Sequence, residues 1–132
     1  MSNTKILDLS PPKKLLVIIE SPLAANLERT VEQHRVYARA CMRDSVIHHG
    51  EAPFASHLLY DQPGLLDDLN PVERAFGIEA GLAWGTKADL TAVYTDCGIS
   101  NGMRMGIARA EKEGRQVVYR TIDPTLFDII MR

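Results

Sequence analysis

The stretch from Val93 to Ala108 limits the chain's possible folds more than any other. Leu90-Thr-Ala-Val-Tyr94 is an apolar, β-favouring run. It passes through a polar turn holding Gly98 and Gly102, then opens a helix that runs towards Gly114. Strand, glycine-bearing turn and helix start form the unit with which α/β proteins approach anionic ligands. The first helical N–H groups lack internal partners there, and the helix dipole favours negative charge. Glycine gives the backbone positive φ and admits a close ligand, and Ser100 stands where a helix cap is needed.

The rest of the chain repeats this alternation. Leu15-Leu-Val-Ile-Ile19 reads as a central parallel strand covered on both faces. It runs into Glu20-Ser21-Pro22, where Ser21 is expected to cap a long helix with Pro22 at its first position. That helix carries Leu27, Val31, His34, Ala38, Cys41 and Ser45 as one stripe and stops near Gly50. Ala52 to Ala55 is a short second strand, in which Pro53 argues for an edge position or a strand start, and Ser56 to Gly64 follows as a loop. Asn70-Pro71-Val72-Glu73 starts a second helix ending near Gly85, in which Gly77 and Gly81 permit close packing. Gln116 to Tyr119 is a fourth strand, and Asp123-Pro124 begins a short terminal helix. The expected architecture is a single Rossmann-like α/β domain over residues 14–132. It has three layers, with a parallel sheet of four to five strands flanked by helices. Residues 1–13, with Pro11-Pro12, read as a flexible N-terminal arm.

The totals remove several functional classes. A chain of 132 residues with 45% hydrophobic and 24% charged residues and a net charge of −2 suits one globular domain. No basic run tracks a nucleic-acid backbone. The longest apolar run is too short for a bilayer, and no signal peptide is visible in the polar Met1 to Lys14 segment. Cys41 and Cys97 lack metal-ligand spacing, and no cofactor is called for. A reduced, cytoplasmic setting is expected.

In parallel sheets ligands lie beyond the carboxyl ends of the strands, so the loops after the first three strands should converge. Ser21 and Pro22 either cap a helix or offer backbone N–H groups to a phosphate. His57 and Tyr60 either cover a core edge or surround a base or sugar, and Asp61 reads as a solvated carboxylate. Asp96, at the mouth of the central turn, either caps that turn or meets ligand hydroxyls. Glu79 reads as lying near the apolar side of its helix, where a carboxylate needs a ligand hydroxyl or an arginine of another subunit. His34 reads as a packed histidine, and His48 and His49 as complements to a helix dipole.

Ser21-Pro22, the segment Ala52-Pro-Phe-Ala-Ser-His-Leu-Leu-Tyr60, the helix of Arg74 and Gly102-Met-Arg-Met-Gly-Ile-Ala108 together resemble the superfamily of nucleoside 2-deoxyribosyltransferases and 2′-deoxynucleoside 5′-phosphate N-hydrolases. The likeness covers about residues 14–121 and is nearest to a small, often phage-encoded branch. It implies a nucleotide ligand without nucleic-acid or membrane partners, and a homo-oligomer with sites shared between subunits. The active families open the third helix with Gly, an apolar residue, a nucleophilic Glu, an apolar residue and Gly. Arg104 occupies the Glu position here, and a register slid by two puts Gly106 there. Neither can attack an anomeric carbon, although an arginine could bind phosphate.

The resemblance places Ser21, Pro22, His57, Tyr60, Asp96, Gly98, Ser100, Gly102, Met103 and Arg104 around the ligand. It implies a protein that senses or sequesters a nucleoside phosphate or an ADP-ribose-like molecule. The alternative is an enzyme on N-glycosidic bonds, a hydrolase or deoxyribosyltransferase, working through Asp96 or Glu79.

Overall fold

A computed structural model describes residues 13–132, so all but the last residue of the expected arm lies outside the described residues. Four strands and five helices alternate: β1 Leu16–Glu20, α1 Val31–His49, β2 Ala52–Phe54, α2 Ser56–Leu59, α3 Pro71–Gly85, β3 Leu90–Tyr94, α4 Asn101–Lys112, β4 Gln116–Arg120 and α5 Pro124–Ile130. The strands form one all-parallel sheet in the order β2-β1-β3-β4. The sheet thus has the smaller of the expected strand numbers.

Strand alternation divides the two faces. Val17, Ile19, Leu90, Ala92 and Tyr94 are buried in the cluster that also holds Tyr37 and Cys41 of α1. Phe127 of α5 meets the Tyr37 ring edge-on at 5.8 Å on that side. The opposite face presents Ile18, Glu20 and Thr91 towards α3, α4 and Arg115. Right-handed crossovers account for this division, because connections running in opposite directions along the sheet put their helices on opposite faces.

Helix ends follow local chemistry in four places. Asn70, Ser100 and Asp123 accept backbone N–H bonds at the starts of α3, α4 and α5, and Gly50 ends α1 at φ 62°. The first helix departs from expectation, beginning at Val31 rather than at Pro22. Thr30 and Gln33 form its capping box, while Asn26 turns the preceding loop by accepting from the Glu28 and Arg29 amides. Ser21 cannot cap because its hydroxyl is bonded to His57 at 2.7 Å. Leu27 is therefore a fully exposed loop residue and not part of the buried stripe. The segment expected as a loop from Ser56 opens with the short α2, against which α3 packs through its glycines. A Cβ at Gly81 would meet Ser56 Cβ at 2.7 Å.

One ion pair ties distant elements together. Arg120 at the end of β4 donates to both Glu51 oxygens, at 2.7 and 2.8 Å, and Ser45 of α1 donates to the same carboxylate at 2.8 Å. Glu51 is 6% exposed. Burial pushes its pKa up, but the bonds from Arg120 and Ser45 together hold it below the usual carboxylate value. Removing one partner would leave a buried charge unpaired. Arg120→Ala is expected to cost about 3 kcal/mol in chemical denaturation at pH 7. A lowered folded pKa means that the stabilisation is present above pH 4.5 and lost as pH falls through the folded value. The variant's deficit should therefore shrink in acid.

Candidate functional site

A pocket of about 600 Å³ opens at the carboxyl ends of β1 and β3, within the usual range for small-molecule sites. These are the strands between which the sheet order reverses: β1 leads outward to β2, and β3 leads the other way to β4. The loops diverge there and leave a crevice. One rim is the loop after β1, from Ser21 to Asn26, and the other is the turn from Cys97 to Met103.

Seven of the ten expected ligand residues are on this wall: Ser21, Pro22, His57, Gly98, Ser100, Gly102 and Met103. The turn is built as its sequence requires. Gly98 adopts φ 80°, where a side chain would be strained, and Ser100 Oγ accepts from the Met103 amide at 3.2 Å. His57 reaches the wall from α2 and pairs with Ser21, which is 6% exposed. Burial is the main influence on the imidazole and lowers its pKa to about 4, against an opposing pull from Asp61. His57 is therefore neutral at physiological pH, able to pair with a hydroxyl but not to attract a phosphate by charge.

Three expected ligand residues and Glu79 are placed elsewhere. Asp96 serves the fold: its Oδ1 accepts from Tyr37 Oη at 2.6 Å and from the Ile122 amide at 3.2 Å. Its own amide donates to the Tyr37 oxygen at 3.0 Å. Tyr60 lines a smaller neighbouring recess and accepts from Trp84 Nε1 at 2.8 Å. Arg104 is exposed and off the pocket wall, because α4 turns Met103, Gly106 and Ala110 inward at helical spacing. Glu79 is exposed on α3, also off the wall, so it needs no buried partner. Asp61 is bonded to Arg35 at 2.8 Å, so it is not merely solvated.

Sequence reasoning missed Glu20. As the last residue of β1 it shares a face with Ile18, and its side chain enters the pocket wall. Gly106 of α4 lies directly against it. A Cβ at 106 would stand 2.5 Å from the Glu20 carboxyl carbon and nearer still to one oxygen. Glycine inside a helix costs about 1 kcal/mol relative to alanine, and here it makes room for a carboxyl group. Burial raises the Glu20 pKa to about 8, only partly opposed by the charge of Arg115. That guanidinium is itself occupied by Thr91 Oγ1 at 2.9 Å, the Gly85 carbonyl at 2.6 Å and Glu113 at 2.8 Å. The signal available in the sequence was the alternation along β1: if Ile18 faces the ligand side, so does Glu20.

The two shifts have opposite effects on stability. Folding binds a proton on Glu20 between pH 4.5 and about 8, so stability falls as pH rises through that window. Folding excludes a proton from His57 between about 4 and 6.5, so stability there falls as pH decreases. Between 6.5 and 8 only the Glu20 effect remains. Glu20→Gln should therefore melt several degrees above the parent at pH 8 and close to it at pH 5, as read from Tm across that range. Equal melting curves at both values would contradict the burial of this group.

Among the described residues no cluster of three or more His, Cys, Asp or Glu is placed to hold a metal ion. No helix there is long and apolar enough to cross a membrane. No curated protein and no solved structure matches the chain. A family model described as "Domain of unknown function (DUF7768)" matches residues 15–120. That span runs from the residue before β1 to the last residue of β4 and takes in both rims of the pocket. The chain therefore belongs to the family of this domain, DUF7768.

Proposed function

We propose that the chain binds a nucleoside phosphate or an ADP-ribose-like molecule in the switch-point pocket, and senses or sequesters it in the cytoplasm. The observation that carries this reading is the joining of two unlike ends in one cavity. At one end is the start of α4, with the Gly98–Ser100 turn before it, suited to a phosphate. At the other are Ile18 and Phe54 from the sheet opposite Ile78 and Leu82 from α3, an apolar setting for a ring. Ser21 of the first rim and His57 of α2 also line the pocket, as a neutral hydrogen-bonding pair for sugar hydroxyls. The resemblance to nucleoside 2-deoxyribosyltransferases supports the same ligand class and, with it, a homo-oligomer.

A second reading gains from Glu20. An enzyme on N-glycosidic bonds needs a carboxyl group in the pocket, and neither Asp96, tied to Tyr37, nor Glu79, on the outer surface, provides it. Glu20 does, at the place where the slid register of the superfamily motif puts Gly106.

A panel of nucleoside monophosphates, diphosphates and ADP-ribose tests the first reading by thermal shift. A ligand at about 100 times its Kd should add about 2.7 kcal/mol of stability, and no shift at millimolar concentration would end the proposal. For the second, chromatography of the same incubations should reveal free base released by the parent and by Asp96→Asn, but not by Glu20→Gln. Release undiminished in Glu20→Gln would remove Glu20 from the chemistry.

A further inference from the structure

Glu20 is a carboxyl group without a hydrogen-bond partner in a pocket wall that also carries the apolar Ile18, Phe54, Ile78 and Leu82. No hydrogen-bond donor among the described residues supports it, and its nearest cation, Arg115, is committed to three other acceptors. Its neighbours in the pocket are Ile18 on the same strand face, Phe54 paired beside Ile18, and Ile78 and Leu82 on the opposite wall. Gly106 and Gly85 reduce the walls at two points: a Cβ at 106 would meet the carboxyl group, and one at 85 would come within 3.4 Å of Arg115. The apolar side chains there suit a ring, and Glu20 is the carboxyl group for which the helix beside it leaves room.

We propose that Glu20 reads the edge of a nucleobase in this apolar end, selecting bases with a basic ring nitrogen beside an amino group, as in adenine and cytosine. This inference rests on the nucleotide-binding reading above. Glu20 is half-buried in the pocket wall and has no donor, so partial loss of water favours its neutral form and raises its pKa to about 8. A neutral carboxyl group has one donor and one acceptor side by side. The amidine edge of adenine or cytosine matches this pair, its ring nitrogen accepting the O–H and its amino group donating to the carbonyl. Guanine and uracil offer a carbonyl oxygen beside a ring N–H, a weaker acceptor for the acidic proton. Guanine's pair of adjacent donors would suit an ionised carboxylate, which this site disfavours.

The experiment is isothermal titration of the full chain at pH 7 with the 5′-monophosphates of adenosine, cytidine, guanosine and uridine. The parent should bind the adenosine or cytidine nucleotide at least about tenfold more tightly than the other two. Glu20→Gln, whose amide pairs a donor with an acceptor but lacks an acidic proton, should still bind while narrowing this preference, and Glu20→Leu should abolish it. Gly106→Ala adds a methyl group against the carboxyl and improves helix propensity. It should weaken the favoured nucleotide about tenfold while circular dichroism stays native. Nucleotides bound without base preference, or a preference surviving in Glu20→Leu, would overturn this inference and leave the binding reading standing. Binding of none of the four would overturn this inference, and the binding reading falls with it if the diphosphates and ADP-ribose of the wider panel also fail to bind.

Discussion

The handedness of parallel crossovers decides most of what this domain can do. The chain goes from β1 outward to β2, returns past β1 to β3, and continues outward to β4. Each step must be right-handed, so α1 is carried to one face and α3 and α4 to the other. Where the direction reverses, the loops after β1 and β3 part, and the pocket fills the opening. The α1 face is closed by Tyr37, Cys41 and Ile122 among others. The α3–α4 face is left partly open, and there the alternation of β1 exposes Ile18 and Glu20 to the cavity.

Among the described residues most polar groups on the closed face are given structural work, although the buried Nε2 of His34 has no partner. Tyr94 donates to Asp44, Tyr37 to Asp96, and Arg120 to Glu51, each joining elements far apart in sequence. Glu20 is treated differently. Its burial costs free energy, α4 accepts a glycine beside it, and no donor is supplied. Perturbed and unpaired polar groups cluster at functional sites, although structural positions also hold some. What sets Glu20 apart is its place: its unpaired carboxyl group is in the wall of the pocket at the sheet's switch point.

What the sequence made legible was local. Leu90–Tyr94 reads as a buried strand from its own composition, and Asn70, Ser100 and Asp123 announce helix starts through side chains that accept from amides two or three residues further on. The parallel sheet follows from the alternation of elements. What stayed hidden depends on contacts between distant residues. Ser21-Pro22 imitates a helix start, but its hydroxyl belongs to His57, 36 residues away. Asp96 looks like a ligand residue until Tyr37, 59 residues earlier, is found to claim it. Arg104 reads outward once Met103, Gly106 and Ala110 are recognised as the inward stripe of α4, a periodicity already present in the sequence. Glu20 acquires its meaning only from the missing side chain at Gly106, which no local pattern relates to it.

The most direct test of the account is a crystal structure of the protein with adenosine or cytidine 5′-monophosphate at neutral pH. The account predicts the base between the sheet residues Ile18 and Phe54 and helix α3, its amidine edge within hydrogen-bond distance of Glu20 and its phosphate at the start of α4. A nucleotide seated elsewhere, or turned with its phosphate towards Glu20, would contradict it.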